Sequence, residues 1–473
     1  MLSKEQLEEI LGIALQDGGD FADVFVEEKM TNVVACEENK IERVNSGREA
    51  GVGIRVLSGE STAYAYTNVL SLAALKEAAF VASKAAVKNP RRLTTINLCK
   101  REPRIDFQIL RRPEDVDIDE KVKTVIGANH VARSHDQRIA QVLVSYGDII
   151  QRVLLANSEG DLIEDERIRT RFIIHVVAQE GGVIQTGYEA LGGLAGFELL
   201  AAGQPEIMAE RAARQAVQML QAKPAPAGRM PVIMAAEAGG TMIHEACGHG
   251  LEADLVQKEL SVYRGKIGTK VAAETVTVID DGTLANKYGS FRFDDEGTPS
   301  RKNILIENGI LRSFMYDRLS ARVEGHPLTG NGRRQSFAYR PVPRMTNTYI
   351  APGNSDPGEI IEETEKGLLV KKMGGGQVNT TNGDFVFDVS EAYLIEKGKV
   401  TVPVRGATLT GNGPEVLQDI VMVGNDLGFG IGTCGKDGQG VPVSDAQPTI
   451  SIKQLIVGSR APVAPNGDIC LLS

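Results

Sequence analysis

The sequence predicts an α+β protein, with two small α+β units followed by a large, mainly antiparallel β domain. Three observations carry this expectation. Helical and β-type segments alternate up to residue 223, and a short linker, Pro224-Ala225-Pro226-Ala227-Gly228, then divides the chain. Beyond it glycine becomes frequent, and short apolar runs alternate with Asp-Gly and Asn-Gly turn signals. A chain of 473 residues is also too long for one ordinary core and asks for two or three domains.

The elements follow in order. Ser3 and Gln6 form an S-x-x-Q capping box ahead of Leu7, Ile10, Leu11, Ala14 and Leu15, which recur at helical spacing until Gly18-Gly19 stops them. Strand segments are expected at Ala22–Val26, Val33–Glu37, Ile41–Val44 and Gly51–Leu57. After the turn Ser58-Gly59-Glu60 another is expected at Ser61–Tyr66. An alanine-rich helix covers about Leu70–Val87 and ends at Asn89-Pro90, completing a first unit over 1–105. Residues 90–117, with Pro90, Pro103 and Pro113, read as a connector. The second unit, 106–223, opens with a helix near Asp119–Ser134. It continues with strands at Arg138–Tyr146, Ile149–Asn157 and Ile168–Gln179 and closes with a helix at about Glu206–Lys223. The β domain, 229–473, includes strands near Thr275–Ile279, Ile304–Ile306, Thr348–Ile350 and Val386–Phe387. One helix, about Gly239–Leu255, interrupts it.

Composition excludes several classes. With 42% hydrophobic and 24% charged residues the chain is globular rather than disordered. A balance of 52 basic to 62 acidic residues gives a net charge of −10, so direct nucleic-acid binding through phosphate neutralisation is not expected. Acidic residues interrupt the N-terminal stretch Met1–Glu9, which does not read as a signal peptide. No run of about 18 apolar residues exists to cross a membrane. The cysteines Cys36, Cys99, Cys247, Cys434 and Cys470 are few, odd in number and scattered, which points to a reducing, cytoplasmic setting.

The chemistry lies in the interrupting helix. Residues 244–249 read His-Glu-x-x-x-His. The familiar zinc-peptidase motif has only two residues between glutamate and second histidine, which stacks both imidazoles on one helix face. At about 100° per residue, a five-residue separation instead sets the two rings about 140° apart. Gly248 and Gly250 flank His249, so the helix can widen into a π-bulge there or end in a loose turn, and the bulge would bring the rings together. A catalytic zinc needs three protein ligands and an open position for water. The third could be Glu252 or Asp254 just after the helix, or a thiolate. Cys434 stands at the centre of the glycine-dense run Gly430–Gly438, where small neighbours permit close approach and Lys436 would favour the ionised thiol. Cys247, inside the motif, is its rival. Glu245, next to a ligand, is the natural general base for zinc-bound water. The contrasting reading is a regulatory or scaffold protein in which a structural zinc pins the helix to the β domain.

Other signals are weaker. Gly374-Gly375-Gly376 and the later glycine run lack the G-K-[ST] that phosphate loops need, and strand-to-strand turns explain them better. Asp280-Asp281-Gly282 and Asp294-Asp295-Glu296-Gly297 lack calcium-loop spacing and also read as turns. His326, Arg333, Arg334 and Tyr339 read as solvated loop residues.

Several stretches together resemble the TldD/PmbA family of metallopeptidases, and its TldD branch most closely. They are His244–Glu252, Asp294–Pro299, Thr329–Arg334, Pro343–Tyr349, Gly374–Val378, Ser390–Ile395 and Cys434-Gly435-Lys436, with weaker matches at Gly51–Arg55 and Ser58–Glu60. The likeness runs over nearly the whole chain and is densest after residue 229. It implies zinc held by His244, His249 and Cys434, with Glu245 catalytic. It also implies extended peptide substrates in an internal cleft, held through their backbones, and a dimer with a second copy or with a metal-free homologue.

Overall fold

In the computed structural model, which describes residues 2–86 and 96–459, the Ser3 hydroxyl accepts from the Gln6 amide and the Gln6 side chain accepts from the Ser3 amide. The helix so capped, α1 (Lys4–Ala14), buries Leu7, Ile10, Leu11 and Ala14. The expected terminator Asn89-Pro90 and Cys470 lie outside the described residues.

Four of the expected strand segments are two long strands. Ala22–Val26 and Val33–Glu37 belong to β1 (Phe21–Glu37), while Ile41–Val44 and Gly51–Leu57 belong to β2 (Lys40–Ser58). They pair antiparallel from Phe21↔Leu57 to Glu37↔Lys40, with a register shift at Ala35/Cys36. The polar residues between the apolar segments do not interrupt the ribbon, since backbone pairing does not need apolar side chains; in β1 they include the buried Glu27, which accepts from Gln151 and the Phe337 amide. The strand β3 (Ser61–Thr67) and helix α2 (Leu72–Ala85) complete this part. A two-residue strand, β4 (Cys99–Lys100), lies in the connector. Beyond it come α3 (Ile118–Ser134), β5 (Ile139–Asn157), β6 (Asp161–Glu180), β7 (Val183–Gly193) and α4 (Gln204–Leu220). The separate segments expected at Arg138–Tyr146 and Ile149–Asn157 are thus one strand.

The two α+β units share a single seven-stranded sheet, ordered β3-β2-β1-β5-β6-β4, with β7 also on β6. The seam is β1 against β5, paired from Asp23↔Asn157 to Glu37↔Leu143. Each half would otherwise expose a long strand edge, so joining satisfies the backbone groups of both. Helices α1 and α2 cover one end of the sheet, and α3 and α4 the other, each over its own apolar core.

The expected linker is not free. Lys223–Pro224 (β8) pairs in parallel with Val404–Arg405, the Ala225 amide donates to the Arg405 carbonyl at 3.0 Å, and Gly228–Met234 (β9) is already a strand. Beyond it stand two largely antiparallel sheets of eight and six strands. One core joins them, with Leu368, Phe385 and Ile450 from the larger sheet meeting Val278, Leu305 and Ile350 from the smaller. Met242, Ile243 and Cys247 are packed into the same core, so the motif segment lies between the sheets.

The acidic motifs lie at turns, as expected, but the turns are buried. Asp280, fully buried, accepts from Asn331, Thr346 and Thr348. Asp294 accepts from the amides of Glu296, Thr298 and Gly332. Glu296 binds Arg55 and Asp295 binds Arg167, both at 2.6 Å, and Arg169 donates to the Tyr288 and Ser290 carbonyls. These contacts fasten the N-terminal sheet to the β domain. Arg333 and Arg334 belong to the same buried framework: Arg333 donates to the Met345 and Pro442 carbonyls, and Arg334 to the Asp295 carbonyl and the Tyr64 hydroxyl. His326 stacks on Tyr316, at 4.2 Å between ring centres. Among the described residues, no helix is long and apolar enough to cross a membrane.

Candidate metal centre

The expected single helix over 239–255 is a broken one. Thr241–Ile243 makes a turn of α-helix, His244–Gly248 a π-turn and His249–Leu251 a 3₁₀ turn. Glu252 is extended, and Ala253–Gln257 resumes the α-helix. The widened turn is closed by the His249 amide, which donates to the His244 carbonyl five residues back. This is the bulge that the five-residue histidine spacing demands. It sets the two rings 4.9 Å apart at 84° instead of on diverging faces.

The flanking glycines act through packing rather than unusual dihedrals, since Gly248 keeps helical angles (φ −53°, ψ −57°). A Cβ on Gly248 would lie 2.2 Å from the Met345 sulfur, and one on Gly250 2.8 Å from the Tyr263 ring. Gly240 and Gly413 likewise admit backbone: added Cβ atoms would fall 2.2 Å from the Ala446 nitrogen and 2.1 Å from the Ala246 oxygen. The bulged turn is held by neighbours on both sides.

The third donor comes from a hairpin. The expected glycine-dense loop is a strand, Gly428–Lys436, that turns at Asp437-Gly438, both with positive φ, into Gln439–Gln447. The register places Cys434 opposite Val441 and Gly430 opposite Asp445. Side chains alternate along strands, so Cys434 and Asp445 project from one face of the hairpin. The Cys434 Sγ lies 3.6 Å from His249 Nε2, and one ligand atom each from His244, His249 and Cys434 fall within 4.8 Å of one another.

Each imidazole is oriented from behind. Asp445 Oδ1 is 2.8 Å from His244 Nδ1, and Glu252 Oε2 is 3.2 Å from His249 Nδ1. A carboxylate at Nδ1 leaves Nε2 as the free donor, the arrangement metal-binding histidines use. Burial pushes the His249 imidazolium down, but Glu252 and Cys434 more than offset this and raise it to about 10. His244 behaves alike, lowered by burial yet carried well above an ordinary histidine by Asp445. Burial would raise the Cys434 thiol, and the two imidazoles instead bring it down to about 5. Glu245 faces the same space with its carboxyl raised by burial, against the pull of His244 and His249.

The rival donors are accounted for. Cys247 is buried in the core, its thiol directed at the Ile243 carbonyl at 3.5 Å and raised by burial. Glu252 and Asp254 are engaged by Lys436, whose ammonium is 3.1 Å from Glu252 Oε2 and 2.6 Å from Asp254 Oδ1. Lys436 therefore faces carboxylates, whereas the Cys434 thiol is lowered by the histidines. Beside the three donors opens a cleft of about 440 Å³, bordered by Glu245, Leu255, Gln377, Val378 and Thr433. The Gly374-Gly375-Gly376 run is part of the strand Lys366–Val378 along this cleft, not a turn.

Descriptions of the PmbA/TldA metallopeptidase domains match residues 22–86 (domain 1), 111–220 (central domain) and 227–459 (C-terminal domain). Over 465 residues the chain is 40% identical to a metalloprotease TldD homologue of Haemophilus influenzae, covering 97% of this chain and 96% of that one. The chain belongs to the TldD/PmbA family of metallopeptidases. A more distant TldD/PmbA relative, named a zinc metalloprotease TldD homologue in Saccharolobus solfataricus, is 29% identical over 452 residues, 93% of this chain and 97% of its own. TldE from Thermococcus kodakarensis shares the fold, with a TM-score of 0.76 at 22% identity over 96% of this chain and all of that one.

Two features of this TldD/PmbA site escaped sequence reasoning. Asp445 is 201 residues from His244 and sits in a strand with no local signal of its role. Lys436 was visible, but its partners depend on how the hairpin lies across the motif.

Proposed function

We propose that the protein is a zinc-dependent peptidase that hydrolyses unfolded or extended peptides, with His244, His249 and Cys434 as the zinc ligands and Glu245 as the general base. The observation that carries this reading is a two-imidazole, one-thiolate donor set that borders an open cleft with a carboxylate beside it. The donor chemistry suits zinc, which accepts nitrogen and thiolate ligands and keeps one position open when catalytic. What zinc supplies at such a set is Lewis acidity, which lowers the pKa of water and polarises a carbonyl.

The chain's own residues do the rest. Asp445 and Glu252 keep both Nδ1 atoms occupied, so the Nε2 lone pairs point inward. The Glu245 carboxylate takes the proton of the attacking water and returns it to the leaving amine. Its burial raises its basicity, and both histidines oppose that shift. Among the described residues, the charged side chains lining the cleft besides the donors are Glu245 and Lys436, and Lys436 is paired with Glu252 and Asp254, which fits recognition of the peptide through its backbone. Assembly with a second copy or with a metal-free homologue, implied by the family likeness, is proposed alongside. A scaffold with structural zinc would be expected to close the fourth position with a protein donor, and the donor cluster here has three members among the described residues.

Metal analysis combined with a peptide-cleavage assay, before and after chelation, tests the proposal. Activity that survives complete metal removal sinks it. Cys434→Ser is expected to strip most of the zinc and the activity with it, whereas Cys247→Ser keeps both. Equal zinc loss in the two variants would assign the thiolate wrongly.

Acidity should govern metal loading. In the metal-free protein His249 is held at about 10 and Cys434 at about 5, so near neutrality the imidazole carries the proton and the thiol does not. Binding must displace protons from the histidines. Apparent zinc affinity therefore rises from pH 6 to 9, by up to about tenfold per pH unit for each imidazole deprotonated. Chelator-competition titrations across that range check it, and a flat profile counts against the protonated rings.

A further inference from the structure

We infer that Lys436 is a positioning residue for the metal centre: it fixes Glu252 behind His249 from the same strand that presents Cys434. The inference rests on the zinc reading above and adds to it a residue outside the proposed ligand set.

The geometry starts with spacing. Cys434 and Lys436 are two residues apart on the strand Gly428–Lys436, so both side chains leave the same face. The sulfur meets His249 at Nε2, 3.6 Å away. The ammonium meets Glu252 Oε2 at 3.1 Å, and that same oxygen lies 3.2 Å from His249 Nδ1. One strand face thus brackets a single imidazole, directly at one nitrogen and through a carboxylate at the other.

Glu252 needs such a partner. Its side chain is fully buried, and its second oxygen, Oε1, has no hydrogen-bond partner. Glu252 is the extended residue between the 3₁₀ turn and the resumed helix; its backbone is held, the amide donating to the His249 carbonyl at 3.2 Å and the carbonyl accepting from the Val256 amide at 3.3 Å, so what is left to fix is the side chain. Without the lysine, His249 would be the one side-chain hydrogen-bond partner left to it among the described residues, in a dry setting where a poorly paired carboxylate is costly. Lys436 is itself well engaged: 6% exposed, its ammonium donates to Asp254 Oδ1 at 2.6 Å and the Pro343 carbonyl at 2.9 Å while forming an ion pair with Glu252 Oε2 at 3.1 Å. A tetrahedral ammonium fits three convergent acceptors, whereas a planar guanidinium does not.

The test is a double-mutant cycle on zinc affinity, read by chelator competition, with Co(II) spectra as the second readout. Lys436→Met is expected to weaken zinc about 10- to 100-fold, the usual effect of losing an orienting partner behind a histidine ligand. In the Co(II) form its ligand-field bands shift while the sulfur-to-metal charge transfer remains. If Lys436 acts through Glu252, the Lys436→Met/Glu252→Gln protein loses no more affinity than Glu252→Gln alone. Asp254→Asn removes another partner of the same ammonium and is expected to keep zinc affinity within about threefold, because Glu252 stays in place. Wild-type affinity in Lys436→Met, fully additive losses in the cycle, or equal losses in Lys436→Met and Asp254→Asn would each overturn the inference. If Lys436→Met does not fold, Lys436→Arg decides: lowered affinity with a shifted Co(II) spectrum supports the inference, and unchanged values refute it. Failure of the wild-type protein to bind zinc would instead sink the zinc reading itself, so the two failures are separable.

Discussion

Glu245→Gln is expected to lose peptide hydrolysis by about 10²- to 10⁴-fold, the range that a positioned general base contributes, while its zinc content stays at the wild-type level. The amide keeps the volume and one hydrogen-bond acceptor of the carboxylate but cannot take a proton from water. Glu245 is absent from the donor cluster of His244, His249 and Cys434, so the metal has no reason to leave. Initial rates on an unfolded peptide, with zinc measured on the same sample, separate the outcomes. Full zinc with retained turnover would remove Glu245 from the reaction. Joint loss of zinc and turnover would mean that it supports the site structurally.

The second large effect concerns stability. Arg55, 1% exposed, pairs with Asp23 and Glu296, both fully buried, and Arg55→Ala would take this cation from both carboxylates, leaving Asp23 the Arg334 guanidinium at 3.6 Å. Breaking a buried pair in this way costs about 3–5 kcal/mol. The cost falls on a junction, because Asp23 and Arg55 are in the N-terminal sheet while Glu296 belongs to the β domain. Melting should therefore start at lower temperature, and hydrogen exchange should rise first along β1, β2 and the segment around Glu296. An unchanged melting curve would show that water or a rearranged side chain compensates the carboxylates.

Much of this was legible along the chain, where the signal is local. The capping box at Ser3, the helix over Ile118–Ser134 and the Asn308-Gly309 turn depend on residues a few positions apart, and they appear where expected. The π-turn was legible for a sharper reason: two histidines five apart cannot share an ion on a straight helix. Strand extents were not. Polar residues in β1 and β2 look like breaks, yet their backbones pair on, and only the partner strand shows it. The acidic runs at Asp280 and Asp294 read as turns and are turns, but a sequence does not show that they are buried or which arginine is waiting on another sheet.

By itself the sequence determined the chemistry available: two imidazoles, a carboxylate between them, and a short list of possible third donors. It also determined that the helix must deform, since that follows from covalent spacing. Residue chemistry left the third donor open, and only the family resemblance pointed to Cys434. The tertiary structure is what brings Cys434 beside both imidazoles, by folding a hairpin across the motif, while it sends Cys247 into the core and pairs Glu252 and Asp254 with Lys436. The physical reason is that a ligand set is defined by distances of a few ångströms between residues nearly two hundred positions apart. Such distances are fixed by sheet register and packing, not by any property of the residues alone.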